Sequence, residues 1–306
     1  MTEGTTKGPV NDVFDEEAAF GQIQSFSKTI WTRFKRHRLA TLGIYVLGVL
    51  VLCAVLAPLI APYDPTYMDI DKVSFGKPLP PSREHWFGTD PLGRDWLSRS
   101  LYGARISLSV GLVAVGISVT IGSVVGAVAG YYGGVVDTVI CRIIDVLMCV
   151  PTFFLILTVN AFLKPSIFNV MVIIGIFGWM GTARLVRGQI LSIREQEFVE
   201  ASVALGLSDW SIITKDVLPN VFAQLIVTAT TGIAGAIMTE SALSYLGMGV
   251  QEPFPSWGAM LKSAQDHLLT APWLAIFPGI LISITVLSIN FVGDGLRDAI
   301  DPRLKQ

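Results

Sequence analysis

The chain has 306 residues, of which 52% are hydrophobic and only 15% charged, with a formal net charge of −2 and a mean hydropathy of +0.59. Such a balance excludes an ordinary soluble domain, in which about 25% of residues are charged. The net charge carries no further message, and no nucleic-acid partner is expected.

Residues 1–38 are mostly polar and read as a loose cytoplasmic arm. They contain no short apolar region with a small-residue cleavage site, so no cleavable signal peptide is expected. Six runs without Asp, Glu, Lys or Arg follow, over 39–63, 106–136, 146–163, 165–183, 217–239 and 268–293. About 20 apolar residues cross the hydrocarbon as a helix, so these runs predict six transmembrane helices, the first over 39–61. The third and fourth runs, of 18 and 19 residues, lie at the lower limit. Lys164-Pro165-Ser166 between them is a break of the kind that joins antiparallel spans.

The segment 62–104 reads as a long extracytoplasmic loop. In it Thr89-Asp90-Pro91-Leu92-Gly93 forms a turn, and Asp95 caps a helix carrying Trp96, Leu97, Leu101 and Tyr102. Trp96 and Tyr102 suit the membrane interface, while Arg94 and Asp95 offer a second reading, a lock on the loop above the pathway. Gly122, Gly126 and Gly130 lie four apart on one face of the second span, where small residues let helices approach closely. Packing within this chain and contact with a second chain both remain open. Asp137, Arg142 and Asp145 surround the next turn, with Arg142 and Asp145 spaced as an i, i+3 pair, and read as an inner-surface clasp.

Between the fourth and fifth spans, residues 200–219 read EASVALGLSDWSIITKDVLP. Ile190, Ile193, Phe198, Val199, Val203 and Leu205 form an irregular helical stripe before it and into it. Gly206 ends that helix through a left-handed backbone, and Ser208 or Asp209 caps a short second helix holding Trp210, Ile212 and Ile213. Leu218-Pro219 ends the second helix and opens the fifth span. Trp210 and Ile212, shown to the cytoplasm, would make an apolar knob suited to a groove on a partner; a plain connector is the competing reading. Glu240 closes the fifth uncharged run. An ionisable group at such depth faces a bundle interior or an aqueous cavity, unless it lies far enough out to be solvated at the interface.

Six spans place both termini on one side. Lys28, Arg33, Lys35, Arg36 and Arg38, then Arg184, Arg187, Arg194 and Lys215, then Arg297, Arg303 and Lys305 mark that side as cytoplasmic. Arg94, Arg99 and Arg105 oppose this, but in a long loop rich in Asp and Glu. Cys53, Cys141 and Cys149 fall in or beside spans and are expected as reduced thiols without a role. There is no phosphate loop, H-E-x-x-H or G-x-S-x-G, and His37, His85 and His267 are scattered and expected to face solvent. No catalytic residue, metal ligand or cofactor is expected in this chain.

The 200–219 stretch resembles the EAA loop of ABC importer permeases, matching at Glu200, Ala201, Gly206, Leu218 and Pro219, with Ser202 for the second alanine and Asp216 for an isoleucine. FGTDPLGRDWLSRSLYGARISL, GMGVQEPFPSWGAML and NFVGDGLRDAIDPRLKQ are similar to segments of the second permease subunit of dipeptide and oligopeptide importers. The resemblance implies an all-α membrane fold: a type I, methionine-importer-like core over 105–296, including the loop 186–219, preceded by an extra span and followed by a cytoplasmic tail, 297–306. It implies a companion permease, two ATPase subunits carrying ATP and Mg, and an extracytoplasmic peptide-binding protein, all at a bacterial or archaeal plasma membrane. Coupling to the ATPases would fall to Glu200, Ala201, Gly206, Ser208, Asp209, Trp210 and Ile212, and Glu240 would serve the pathway or its gating. Relatives of this branch also carry nickel chelates or glutathione. A secondary transporter and a membrane scaffold or receptor that docks a partner without transport are the rival classes, and Asn160 and Asn290 are polar residues within spans.

Overall fold

The computed structural model describes residues 26–70, 73 and 77–300. The arm up to residue 25, Asp71, the side chain of Lys28, and Arg303 and Lys305 in the tail lie outside the described residues. Among the described residues all regular structure is helical, apart from one isolated bridge between Thr89 and Asp95. The helices are α1 (Phe26–Arg36), α2 (Arg38–Val55), α3 (Ala57–Ile60), α4 (Trp96–Tyr132), α5 (Gly134–Met148), α6 (Thr152–Phe162), α7 (Ile167–Ile193) and α8 (Glu197–Ala204). They continue with α9 (Asp209–Tyr245), α10 (Trp257–Ala264) and α11 (Trp273–Ile300).

Five helices, α2, α4, α7, α9 and α11, are long and apolar enough to cross a membrane. The third expected span is instead two helices, α5 and α6, bent by 77°. The break ends at Pro151, which lacks an N–H and disfavours a helical residue before it. With 11 residues, α6 alone rises only about 16 Å, against roughly 30 Å of hydrocarbon.

Packing shows how the bent pair is used. Gly175 faces Ala114 and Ile117, Gly122 faces Thr182, and Gly130 faces Ile190, so α4 and α7 run parallel. The chain between two parallel spans has to return across the bilayer, and α5 with α6 makes that return. Six crossings result, with the third one broken.

The glycine stripe on α4 is settled by the same contacts. A Cβ on Gly126 would lie 2.5 Å from the Ala183 carbonyl oxygen and 2.8 Å from the Val186 side chain. The close approach is within this chain. At the next turn Gly133 and Gly134 take φ of +64° and +52°, a conformation that glycine adopts without steric penalty, and α5 doubles back. Asp137 and Asp145 on α5 then pair with Arg187 and Arg184 of α7. The expected Arg142–Asp145 pair is therefore replaced by ties between helices.

The remaining spans pack antiparallel. Gly111 of α4 meets Ile233 and Ile237 of α9, Gly293 of α11 meets Thr231 of α9, and Gly43 of α2 meets the Ser288 carbonyl of α11. Residues 26–36, expected within a loose arm, form α1; its Phe34 is buried with Ala40 and Ala299. The long loop also differs from expectation, because α4 begins at Trp96 and absorbs 96–104. Asp95 caps it as predicted, accepting from the Ser98 backbone N–H at 2.8 Å. Trp96 is not an interfacial anchor but fully buried beside Trp257, Met260 and Leu274.

Candidate docking surface and buried polar joints

The loop after α7 is rigid for local reasons. Helix α8 closes with paired bonds, Gly206 N–H to the Val203 carbonyl at 2.9 Å and Leu207 N–H to the Ser202 carbonyl at 3.2 Å. This is the Schellman arrangement that favours glycine at the left-handed position, and Gly206 has φ +75°. Ser208, rather than Asp209, caps the next helix, accepting from the Ser211 N–H at 3.4 Å. Beneath the loop Val199, Ile213 and Val217 are buried with Ile190, Ile193 and Val221.

Two expectations are corrected here. Ile212 is 1% exposed and belongs to that buried cluster, so it does not face outward with Trp210. The second helix does not end at Leu218-Pro219 either. It passes through a π-helical stretch, Ile212–Val217, directly into the span. The wider turn of the π stretch brings Ile212, Ile213 and Val217 together on the inner face. Facing outward instead are Trp210 at 72% and Leu205 at 81% exposure, with Leu207 between them. Glu200, Ala201, Gly206, Ser208 and Asp209 are exposed around this knob.

Two contacts fix the loop to the rest of the bundle. Tyr131 donates its hydroxyl hydrogen to Asp209 at 3.1 Å. Arg194 donates to the Gly130 and Tyr131 carbonyls, both at 3.4 Å, placing a cation at the negative end of α4. Neither Tyr131 nor Arg194 stood out in the sequence as part of this site. The only local signal was an aromatic pair, Tyr131-Tyr132, at the end of a span.

Glu240 lies at the opposite end of α9 and is 0% exposed. Interfacial solvation is thus not its environment. Ser244 donates to Oε1 at 2.7 Å, while Ser107 and Ser241 donate to Oε2 at 3.4 Å. Ser107 also accepts from the Trp257 N–H at 3.3 Å. The carboxyl group therefore joins α4, α9 and α10.

Comparisons agree on what such a chain is. Residues 122–306 match the family described as "Binding-protein-dependent transport system inner membrane component". Residues 25–81 match "N-terminal TM domain of oligopeptide transport permease C". The chain belongs to this permease family. It is 41% identical to the dipeptide transport system permease protein DppC of Bacillus subtilis (strain 168), over 92% of this chain and 87% of that one. It is 42% identical to the glutathione transport system permease protein GsiD of Escherichia coli O6:K15:H31 (strain 536 / UPEC), over 93% of each. A solved chain of the MetNI methionine ABC transporter, in an inward-facing conformation, shares the fold at 19% identity and a TM-score of 0.54. That match covers 67% of this chain and 98% of the other.

The permease carries a second polar joint at the Glu240 end, with Arg94 and Arg99 buried and Glu252 half exposed. Arg94 donates to Asp90 Oδ2 at 2.6 Å and to both Glu252 oxygens at 2.6 and 3.2 Å, and Arg99 reaches Glu252 at 3.0 Å. Burial works to raise the Glu252 pKa, but the hydrogen bond from Arg94 and the charges of both arginines outweigh it and hold it below the ordinary value. His85, expected to face solvent, is buried with Nδ1 2.9 Å from Asp95. Arg94 and Asp95 thus lock the loop, as the second of the two sequence readings had it. The pairing of Arg99 with Glu252 was not read from the sequence, because the two lie 153 positions apart in the chain. Asn160 spends its amide on the Met248 carbonyl, a tie between α6 and the loop after α9.

Proposed function

We propose that this permease forms half of the membrane pathway of an ATP-driven importer of di- or oligopeptides, and that the loop around Gly206 receives the stroke of an ATPase subunit. The observation that carries this is the exposed knob of Leu205, Leu207 and Trp210, held on a rigid turn and continuous through α9 with the far end of the bundle. An apolar knob on a short helix suits the groove of a partner, and the acidic surroundings, Glu195, Glu197, Glu200 and Asp209, favour a basic rim on that partner. The partners are a companion permease, two ATPases holding ATP and Mg, and an extracytoplasmic binding protein; this chain itself has no catalytic role. Both termini and the Gly206 loop lie in the cytoplasm of a bacterial or archaeal cell, in accord with the basic residues near them. Glu240 acts as a joint between helices that move together, rather than as a ligand for solute.

Peptide as cargo follows the dipeptide relative, and glutathione is the second reading, favoured by the glutathione relative of equal similarity. The test is ATP-dependent uptake of a labelled dipeptide by vesicles holding the whole complex, with unlabelled glutathione as competitor. Saturable uptake that glutathione fails to displace supports a peptide importer. Uptake without ATPase partners would instead mean a secondary transporter.

A further inference from the structure

A groove of about 400 Å³ opens midway along the bundle between α4, α6, α7 and α9, within the roughly 300–1,000 Å³ usual for small-molecule sites. On α9 its lining recurs at Thr228, Gly232, Gly235 and Thr239, the spacing of one helical face. Opposite stand Ser118 of α4 and Gly181 and Thr182 of α7. No Asp, Glu, Lys or Arg lines it.

The hydroxyl groups are of two kinds. Thr228, Thr231 and Thr239 donate their hydrogens to the carbonyls one turn back, at 3.0, 3.2 and 2.9 Å. Their oxygen lone pairs are left to face the groove as acceptors. Ser118 and Thr182 are 9% and 6% exposed, and among the described residues neither hydroxyl has a hydrogen-bond partner. Lipid chains cannot satisfy such groups, and leaving them unsatisfied is unfavourable. A neighbouring transmembrane helix is a poor donor, because its backbone N–H groups are already used within it. An extended peptide, by contrast, has free N–H groups along its length.

We propose that this groove is the chain's wall of the solute path, and that it holds an extended peptide by accepting hydrogen bonds from the peptide N–H groups. The proposal rests on the importer reading and adds its chemistry of contact. With no charge in the wall, passage is indifferent to the cargo's ionisable side chains. Gly181 and Gly235 keep the groove open, since a Cβ on either would meet nothing within 4 Å and packing does not require a glycine there.

The experiment uses the whole complex in proteoliposomes. Gly235→Leu and Gly181→Leu should abolish uptake of a labelled dipeptide while ATP hydrolysis and assembly persist. Gly48→Leu, on the outer face of α2 and equally free of neighbours, should transport as the native complex does. Thr228→Val should raise KM for the dipeptide about two- to tenfold, the equivalent of one hydrogen bond, with kcat unchanged. Gly235→Cys, in a background without Cys53, Cys141 and Cys149, should react with a membrane-impermeant thiol reagent. Native-like uptake by Gly235→Leu would place the groove against lipid and overturn the proposal. Loss of companion-permease assembly in Gly235→Leu, with no labelling of Gly235→Cys in any nucleotide state, would place it in a subunit interface and overturn it too. The importer reading fails separately, if the native complex imports no peptide; the thiol labelling still tests the path in that case.

Discussion

The Tyr131 hydroxyl at the end of α4 donates to Asp209 at the first residue of α9, 3.1 Å away. It links the exposed loop directly to the helix that packs in parallel with α7. Such a bond is worth about 1 kcal/mol. Tyr131→Phe is expected to lower stability in detergent by that much or less, and to reduce peptide uptake per ATP hydrolysed. A variant with an unaltered ratio of uptake to hydrolysis would show that the tie has no part in coupling.

Gly206 separates backbone from side-chain effects. Nothing stands within 4 Å of a Cβ there, so only its φ of +75° opposes substitution. Gly206→Ala should cost about 1–2 kcal/mol and retain uptake. Gly206→Pro cannot adopt that φ and removes the N–H bonded to Val203, so it should abolish uptake. Equal uptake by the two variants would count against a rigid turn as the coupling element.

Gly126 tests the α4–α7 contact. Its missing Cβ leaves room for the Ala183 carbonyl and Val186. Gly126→Ala is expected to lower stability by about 1–3 kcal/mol, as overpacking does, and Gly116→Ala, in open space on the same helix, by none. Thermal unfolding followed by fluorescence in detergent compares the two directly.

Glu252 makes the clasp at the Glu240 end sensitive to acid. Its folded pKa lies below the ordinary value, about 4.3 for a free glutamate. The sign follows from linkage: its contribution is complete above the unfolded pKa and is lost as pH falls through the folded one. Stability should therefore be flat from neutral pH down to about 5 and decline below about 4 on account of this group. Glu252→Gln should remove that component of the decline and cost about 2 kcal/mol at pH 7, between the values for surface and buried pairs, because Glu252 is half exposed. Identical acid limbs for native and variant protein would show that the clasp does not carry the dependence.

Glu240→Gln keeps a hydrogen-bonding group among Ser107, Ser241 and Ser244, whereas Glu240→Leu takes away the acceptor of their hydroxyl hydrogens. The leucine variant is expected to be less stable than the glutamine variant by about 1–3 kcal/mol. The comparison is made by thermal unfolding of both variants in the same detergent.

What the sequence made legible was governed by local backbone chemistry. Gly206, Ser208, Asp95 and the Gly122-Gly126-Gly130 face could be read because each depends on neighbours within a turn or two. Ile212 could not, since the π-helical stretch shifts the register and turns it inward. Trp96 looked interfacial by position, but α10 and the loop before α4 fold over it. The Arg142–Asp145 spacing was a sound local expectation, overridden when Arg184 arrived from α7. Pro151 did mark the break in the third span, yet the run of uncharged residues masked it. The groove was invisible because its hydroxyl groups come from four helices, none unusual alone.

The Arg94–Glu252 bond joins residues 158 positions apart, which has a consequence for how the chain is made. An emerging ribosomal product exposes Arg94 and Arg99 long before Glu252 exists, so over that interval Arg94 can pair with Asp90 while the carboxylate that bridges both arginines is still missing. Closing so distant a pair waits on the helices between. The clasp is therefore a completion mark: this end of the bundle cannot set until α9 has been made, and a truncated product that ends before Glu252 lacks the one carboxylate that ties Arg94 to Arg99.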